Sequence, residues 1–147
     1  MDYQHYLNQL LLLTIDKGAS DLHFSVGHPP VFRINRRLIP LSKESPLTRE
    51  SAQSLAFCLM NEKQKERFLI DKDIDFSYDF EKKGRFRVNI FYQSGNISVA
   101  LRLVSSYIKS IDELNLPLQV YRLCSAVNGF VIVAGPSGHE KAQQWQQ

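Results

Sequence analysis

The segment Ile74-Asp75-Phe76-Ser77-Tyr78-Asp79-Phe80 alternates apolar and polar residues at strict strand spacing. The pattern returns twice. Phe86, Val88, Ile90 and Tyr92 carry it next, then Ile97, Val99, Leu101 and Leu103, with turn residues at Glu81 to Gly84 and Ser94 to Asn96. Three such runs predict an antiparallel meander with one face buried and one polar. On the polar face lie Arg85, Arg87 and Arg102, and a turn centred near Gly95 sets Arg87 opposite Arg102. Facing cations cost stability unless something anionic lies over them. The candidates are an external anion, or Asp75 and Asp79 if the intervening loop has the odd length that aligns their faces.

Upstream of the meander, Tyr3, Tyr6, Leu7, Leu10 and Leu11 recur at helical spacing from Asp2 to Asp16, and Gly18 stands where such a helix stops. Leu22, Phe24 and Val26 alternate with Asp21, His23 and Ser25, predicting a strand that Gly27-His28-Pro29-Pro30 breaks. Short strands follow at Val31 to Ile34 and Arg37 to Leu41, turning at Asn35-Arg36. Thr48 then caps a helix carrying Ala52, Leu55, Ala56, Leu59 and Met60 on one face, and Asn61 with Gln64 opens a shorter one through Leu69. The fold class is α+β, an antiparallel sheet covered by helices.

Downstream the character changes, which places a linker at residues 104–110 between a first domain, 1–103, and a second segment, 111–147. Ser110 and Glu113 form a capping box, and a helical region interrupted at Pro117 extends to about Val127. Phe130-Val131-Ile132-Val133 reads as a fully buried strand of a parallel sheet, leading into Gly135-Pro136-Ser137-Gly138. A strand followed by G-x-x-x-x-G-K-[ST] is the phosphate-binding loop, whose amides cradle phosphates while its lysine neutralises them and its hydroxyl holds magnesium. Gly135 and Lys141 fall in place here, but Glu140 stands for the second glycine and Ala142 for the hydroxyl residue. The loop is therefore degenerate, and the reading expects a chain truncated there and without catalytic residues of its own. Back-translation of residues 139–147 permits Lys-Ser-Thr-Thr-Met-Ala-Ala in another frame, as an intact loop would continue. A frameshift is the expectation, and the nucleotide sequence tests it.

The 147 residues, 44% hydrophobic and 22% charged, suit a chain able to bury a core. A net charge of +3, with cations scattered rather than gathered in a run, gives no basis for a nucleic-acid partner. Phe86, Val88, Ile90 and Tyr92 share the core face, so a base-stacking platform is not indicated, although Phe91 lies on the opposite face. Leu10 to Leu13 is too short to span a bilayer, which argues against direct membrane insertion. Cys58 and Cys124 read as core thiols, and His5 and His28 as exposed, so no metal site is expected. Asp21 and His23 share a face, without a nucleophile at a recognisable spacing, which favours a structural hydrogen bond or an interdomain contact over acid–base work.

Gly18-Ala19-Ser20-Asp21-Leu22-His23-Phe24-Ser25 with Gly27 and Pro29-Pro30 resembles the opening of the type IV pilus twitching-motility (retraction) ATPases, the PilT family of the secretion ATPase superfamily. Asp75-Phe76-Ser77, Arg85-Phe86-Arg87-Val88-Asn89, Phe91 and Gln93 resemble its later strands, and Gly129 to Gly138 its approach to the phosphate loop. The resemblance implies a PAS-like N-terminal domain, a short linker and the first helix and strand of a RecA-like core. It also implies ATP and magnesium for the full-length family, though neither for this chain. The implied partners are neighbouring subunits of a homohexamer and the pilus inner-membrane machinery, with a cytoplasmic protein held at the inner membrane only through that machinery. Arg85, Arg87 and Arg102 would face nucleotide phosphates, and Gly135, Pro136, Ser137, Gly138 and Lys141 would form the degenerate loop. The leading functional reading is an assembly and regulatory domain of a pilus motor, not an enzyme as this chain. The alternatives are a truncated record of a working pilus or type II secretion motor, and a free PAS-like module holding a small ligand in its core.

Overall fold

A computed structural model describes residues 2–104, 110–117, 119–125, 127–130 and 132. They belong to two compact units, 1–105 and 106–147. In the first, α1 (Tyr3–Asp16) leads to β1 (Asp21–Ser25), β2 (Val31–Ile34) and β3 (Arg37–Pro40). Helices α2 (Arg49–Leu59) and α3 (Glu62–Asp71) follow, then β4 (Asp73–Phe80), β5 (Gly84–Gln93) and β6 (Asn96–Val104).

The helices begin where the sequence supplies caps. Asp2 accepts from the His5 amide at the start of α1, and Thr48 accepts from the Ser51 amide at the start of α2. Asn61 and Gln64 form the reciprocal capping box of α3, which ends at Lys72 in the left-handed region at φ 62°. Gly18, at φ +59°, lets the chain turn from α1 into β1, a conformation glycine adopts without steric cost. Two-residue turns at Asn35-Arg36 and Ser94-Gly95 have positive φ throughout, the geometry that matches strand twist in tight hairpins.

The six strands form one antiparallel sheet in the order β3-β2-β1-β6-β5-β4. The β4-β5-β6 meander is as expected from the sequence, and β1 joins it by pairing with β6, Leu22 opposite Leu101 and Phe24 opposite Val99. Leu7, Leu11, Leu55, Phe24, Phe86, Val88, Ile90 and Leu101, drawn from helices and strands alike, are fully buried in one core. Each such side chain contributes about 1.5–3 kcal/mol on burial. Alternation then sends the odd-numbered residues of β1, β4 and β5 to the opposite face. Tyr92, assigned to the core face from its spacing, sits at a strand end, stays 38% exposed and stacks on Phe68 with centroids 5.4 Å apart.

In the second unit, Ser110 and Glu113 exchange the expected hydrogen bonds, at 2.8 Å and 3.3 Å. A turn over residues 111–115 follows, and a short helix, α4 (Gln119–Cys124), begins after Pro117. Phe130 and Ile132 lie outside any strand and are 88% and 75% exposed, which departs from the buried strand expected there. Such a strand is held by neighbours on both sides, and among the described residues none pairs with it. Val131, Val133, Gly135, Pro136, Ser137, Gly138 and Lys141, with linker residues 105–109, lie outside the described residues; Val104 closes β6.

Candidate functional site

Within the first unit, the sheet face opposite the helices carries rows of side chains set by register. Asp21 on β1 faces Arg33 on β2 and Arg102 on β6, and Arg102 faces Arg87 on β5. Arg87 opposite Arg102 is the juxtaposition expected from the turn at Gly95. The next row runs His23, Ala100, Asn89, Asp75, and the one beyond it Ser25, Ser98, Phe91, Asp73. A cleft of about 260 Å³ opens among Asp21, His23, Asp75, Arg87, Asn89 and Arg102. A larger one, about 570 Å³, adjoins it through His23 and Ala100 and is bordered by Phe91, Leu38 and Ser98.

Every arginine of interest has an aspartate. Arg87 grips Asp75 with Nε donating to both carboxylate oxygens at 3.1 Å and 3.2 Å and Nη2 to Oδ2 at 3.0 Å. Arg85 lies 3.3 Å from Asp79. The loop Glu81-Lys82-Lys83 has the odd length that puts Asp79 directly opposite Arg85, so these charges share a face. Arg102 donates from Nε to Asp21 Oδ1 at 3.0 Å.

Asp21 differs from the other carboxylates because it is 5% exposed. Ser20 donates to its Oδ2 at 2.8 Å, and Arg33 Nε lies 3.3 Å from the same oxygen. Burial would raise the carboxyl, but the hydrogen bonds from Ser20 and Arg102 and the charges of Arg102 and His23 more than offset it and hold it below its ordinary range. His23 moves the same way for another reason. Burial pushes its imidazole down; Asp21 pulls the other way, and the charges of Arg33 and Arg102 add to the effect of burial. Its Nε2 is buried with no hydrogen-bond partner among the described residues.

The sequence placed Arg85, Arg87, Arg102, Asp21 and His23 on polar strand positions, and the structure brings all but Arg85 to the smaller cleft. It missed that Asp21 is the partner of Arg102, since β1–β6 pairing joins residues 81 positions apart. It also missed Arg33. Alternation puts Arg33 and Asp21 each on the polar side of its own strand, but no local rule sets their pairing. Cys58 is half-buried, as a packed thiol is, and burial pushes its thiol up.

An antiparallel sheet with helices on one face matches the N-terminal region of secretion ATPases, and this chain is homologous to that part of them. Its relatives within the class are type IV pilus ATPases. It is 34% identical over 134 residues to the type IV pilus ATPase PilU of Pseudomonas aeruginosa, covering 91% of this chain and 35% of that protein. With the retraction ATPase PilT of the same organism it shares 32% identity over 136 residues, 92% of this chain and 39% of that one. A crystal structure of the pilus retraction motor PilT with bound ADP superposes with a TM-score of 0.79 at 35% identity, over 93% of this chain and 40% of that chain. The Legionella pneumophila ATPase DotB, 23% identical over 94% of this chain and 39% of its own, shares the fold at a TM-score of 0.78. No protein-family model matches. The chain thus spans two fifths or less of the length of these relatives. Among the described residues no helix is long and apolar enough to cross a membrane.

Proposed function

We propose that this chain is the assembly and regulatory domain of a hexameric type IV pilus motor, cytoplasmic and held at the inner membrane by the pilus machinery, and that it does not hydrolyse ATP by itself. The observation that carries the reading is the row Asp21, Arg102, Arg87 on the sheet face opposite the helices of the first unit, in a homologue of pilus ATPases. A surface of this kind suits an anion brought by another part of the motor, because guanidinium groups on neighbouring strands bind phosphate oxygens with defined geometry. The residues present therefore fit the phosphates of ATP as far as a charged face can. When bound, the nucleotide would supply the phosphoanhydride whose cleavage drives a motor. Arg87 and Arg102 would hold and orient its charge, and Arg85 would add to the field at the rim.

The degenerate loop supports the absence of turnover in this chain. Glu140 brings a carboxylate and a Cβ to a position that needs glycine, and Ala142 has no oxygen for magnesium. The core of the first unit is filled by Phe24, Phe32, Phe80 and Phe86, which favours an assembly domain over a module with a ligand inside it. Replacing the N-terminal domain of the Pseudomonas aeruginosa retraction ATPase by residues 1–104 tests the reading. The chimera should hydrolyse ATP, and Arg87→Gln or Arg102→Gln in it should lower turnover by about tenfold or more while the hexamer persists. Unchanged turnover in both variants would refute the phosphate-facing role. Turnover by the 147-residue chain that depends on Lys141 would refute the non-catalytic one.

A further inference from the structure

The arginines of the smaller cleft are tied to carboxylates of two kinds. Asp21, which holds Arg102, has its side chain 8% exposed and is also bound by Ser20 and Arg33. Releasing Arg102 would strip a buried carboxylate of a charged partner, so the pair resists exchange. Asp75 is different: its side chain is 46% exposed, on the edge strand β4, and that of Arg87 is 68% exposed. Their contact engages Nε and Nη2 together, the edge of a guanidinium that also binds two oxygens of a phosphate. Water can replace either partner at little cost.

We propose that Asp75 is an internal competitor, its carboxylate occupying the place on Arg87 that a phosphate-type oxyanion takes and swinging to solvent when that anion arrives. Arg102 stays on Asp21 and offers the N–H groups its Nε contact leaves over, so one arginine is a fixed anchor and the other an exchangeable arm. This inference rests on the phosphate-facing reading of the two arginines. It goes beyond that reading by giving Asp75 a sign, since removing its charge should strengthen binding.

The test titrates inorganic pyrophosphate at low ionic strength into the full 147-residue chain and its variants. Asp75→Asn should bind about three- to tenfold tighter than the unaltered chain, because the exposed ion pair that occupies Arg87 is removed, while the field of a solvated carboxylate beyond that contact is small. Asp75→Glu, which keeps the charge, should stay near the unaltered chain, Arg87→Gln should bind several-fold more weakly, and Asp75→Asn with Arg87→Gln should match Arg87→Gln alone. Melting temperatures close to that of the unaltered chain establish that the variants are folded. Binding that needs Arg87 yet is unchanged or weakened by Asp75→Asn overturns the competitor role alone. Binding that is absent in every chain, or indifferent to Arg87, overturns this inference and the phosphate-facing reading together.

Discussion

Along β5, Phe86, Val88 and Ile90 are fully buried, while Arg85 and Arg87, which alternate with them, stand in solvent beside aspartates. One strand therefore serves two chemistries, separated only by the pleat. The helix-covered face is held by close packing, in which each lost methylene leaves a void. The open face is held by ion pairs, most of them solvated and cheap to rearrange. Stability should therefore reside on one face and recognition on the other. Asp21 is the exception that joins them, a charge on the recognition face buried as deeply as the core.

The largest break in this comparison should come from the packed face. Phe86→Ala should cost about 3–5 kcal/mol, read as a shift in the urea midpoint. A cost below about 1 kcal/mol would mean that the core is not packed as described. Asp21→Asn should come next, at about 1–3 kcal/mol, since it removes the charge that two arginines share at a buried site. A loss no larger than that of an exposed aspartate such as Asp79 would return Asp21 to the ordinary surface class.

Acid should sharpen the contrast more gently. The folded imidazole of His23 resists a proton that the unfolded chain accepts near the ordinary value of 6.5, so its contribution is fully present above that pH and declines as pH falls below it. Asp21, depressed from 3.8, keeps its contribution above that value and loses it only as pH drops through the lower folded pKa. Melting temperatures should thus begin to fall between pH 7 and pH 5, and His23→Gln should flatten that part of the profile. An equal slope in the variant would remove His23 from the account. The smallest effect on stability should be that of Asp75→Asn, whose melting temperature should stay within a degree or so of the unaltered chain.

Much of this was legible in the sequence, and the reason is local. Period-two alternation, Thr48 and Asn61 as caps, Gly18 as a helix stop and Gly95 as a turn are each decided within a few residues, and these elements formed where their signals stand. The register Arg87 to Arg102 was legible for the same reason, as a tight hairpin counts residues. The partner of Arg102 was not, because β1 reaches β6 only after two helices and four other strands have folded between them, and no short-range rule counts across that distance. The strand expected at Phe130 to Val133 shows the opposite limit. Its apolar run states a need for neighbours, and Phe130 and Ile132 lie exposed where the described residues supply none.

The central claim is that the ion-paired face, not the packed one, meets an anion. Its most direct test follows the side-chain Nε–Hε signals of Arg87 and Arg102 by NMR while ATP without magnesium is added to the chain. The account predicts saturable shifts at these two arginines and none at Arg67, which pairs with Asp71 on the surface of α3. Signals that all stay still, or all drift together with ionic strength, would contradict it.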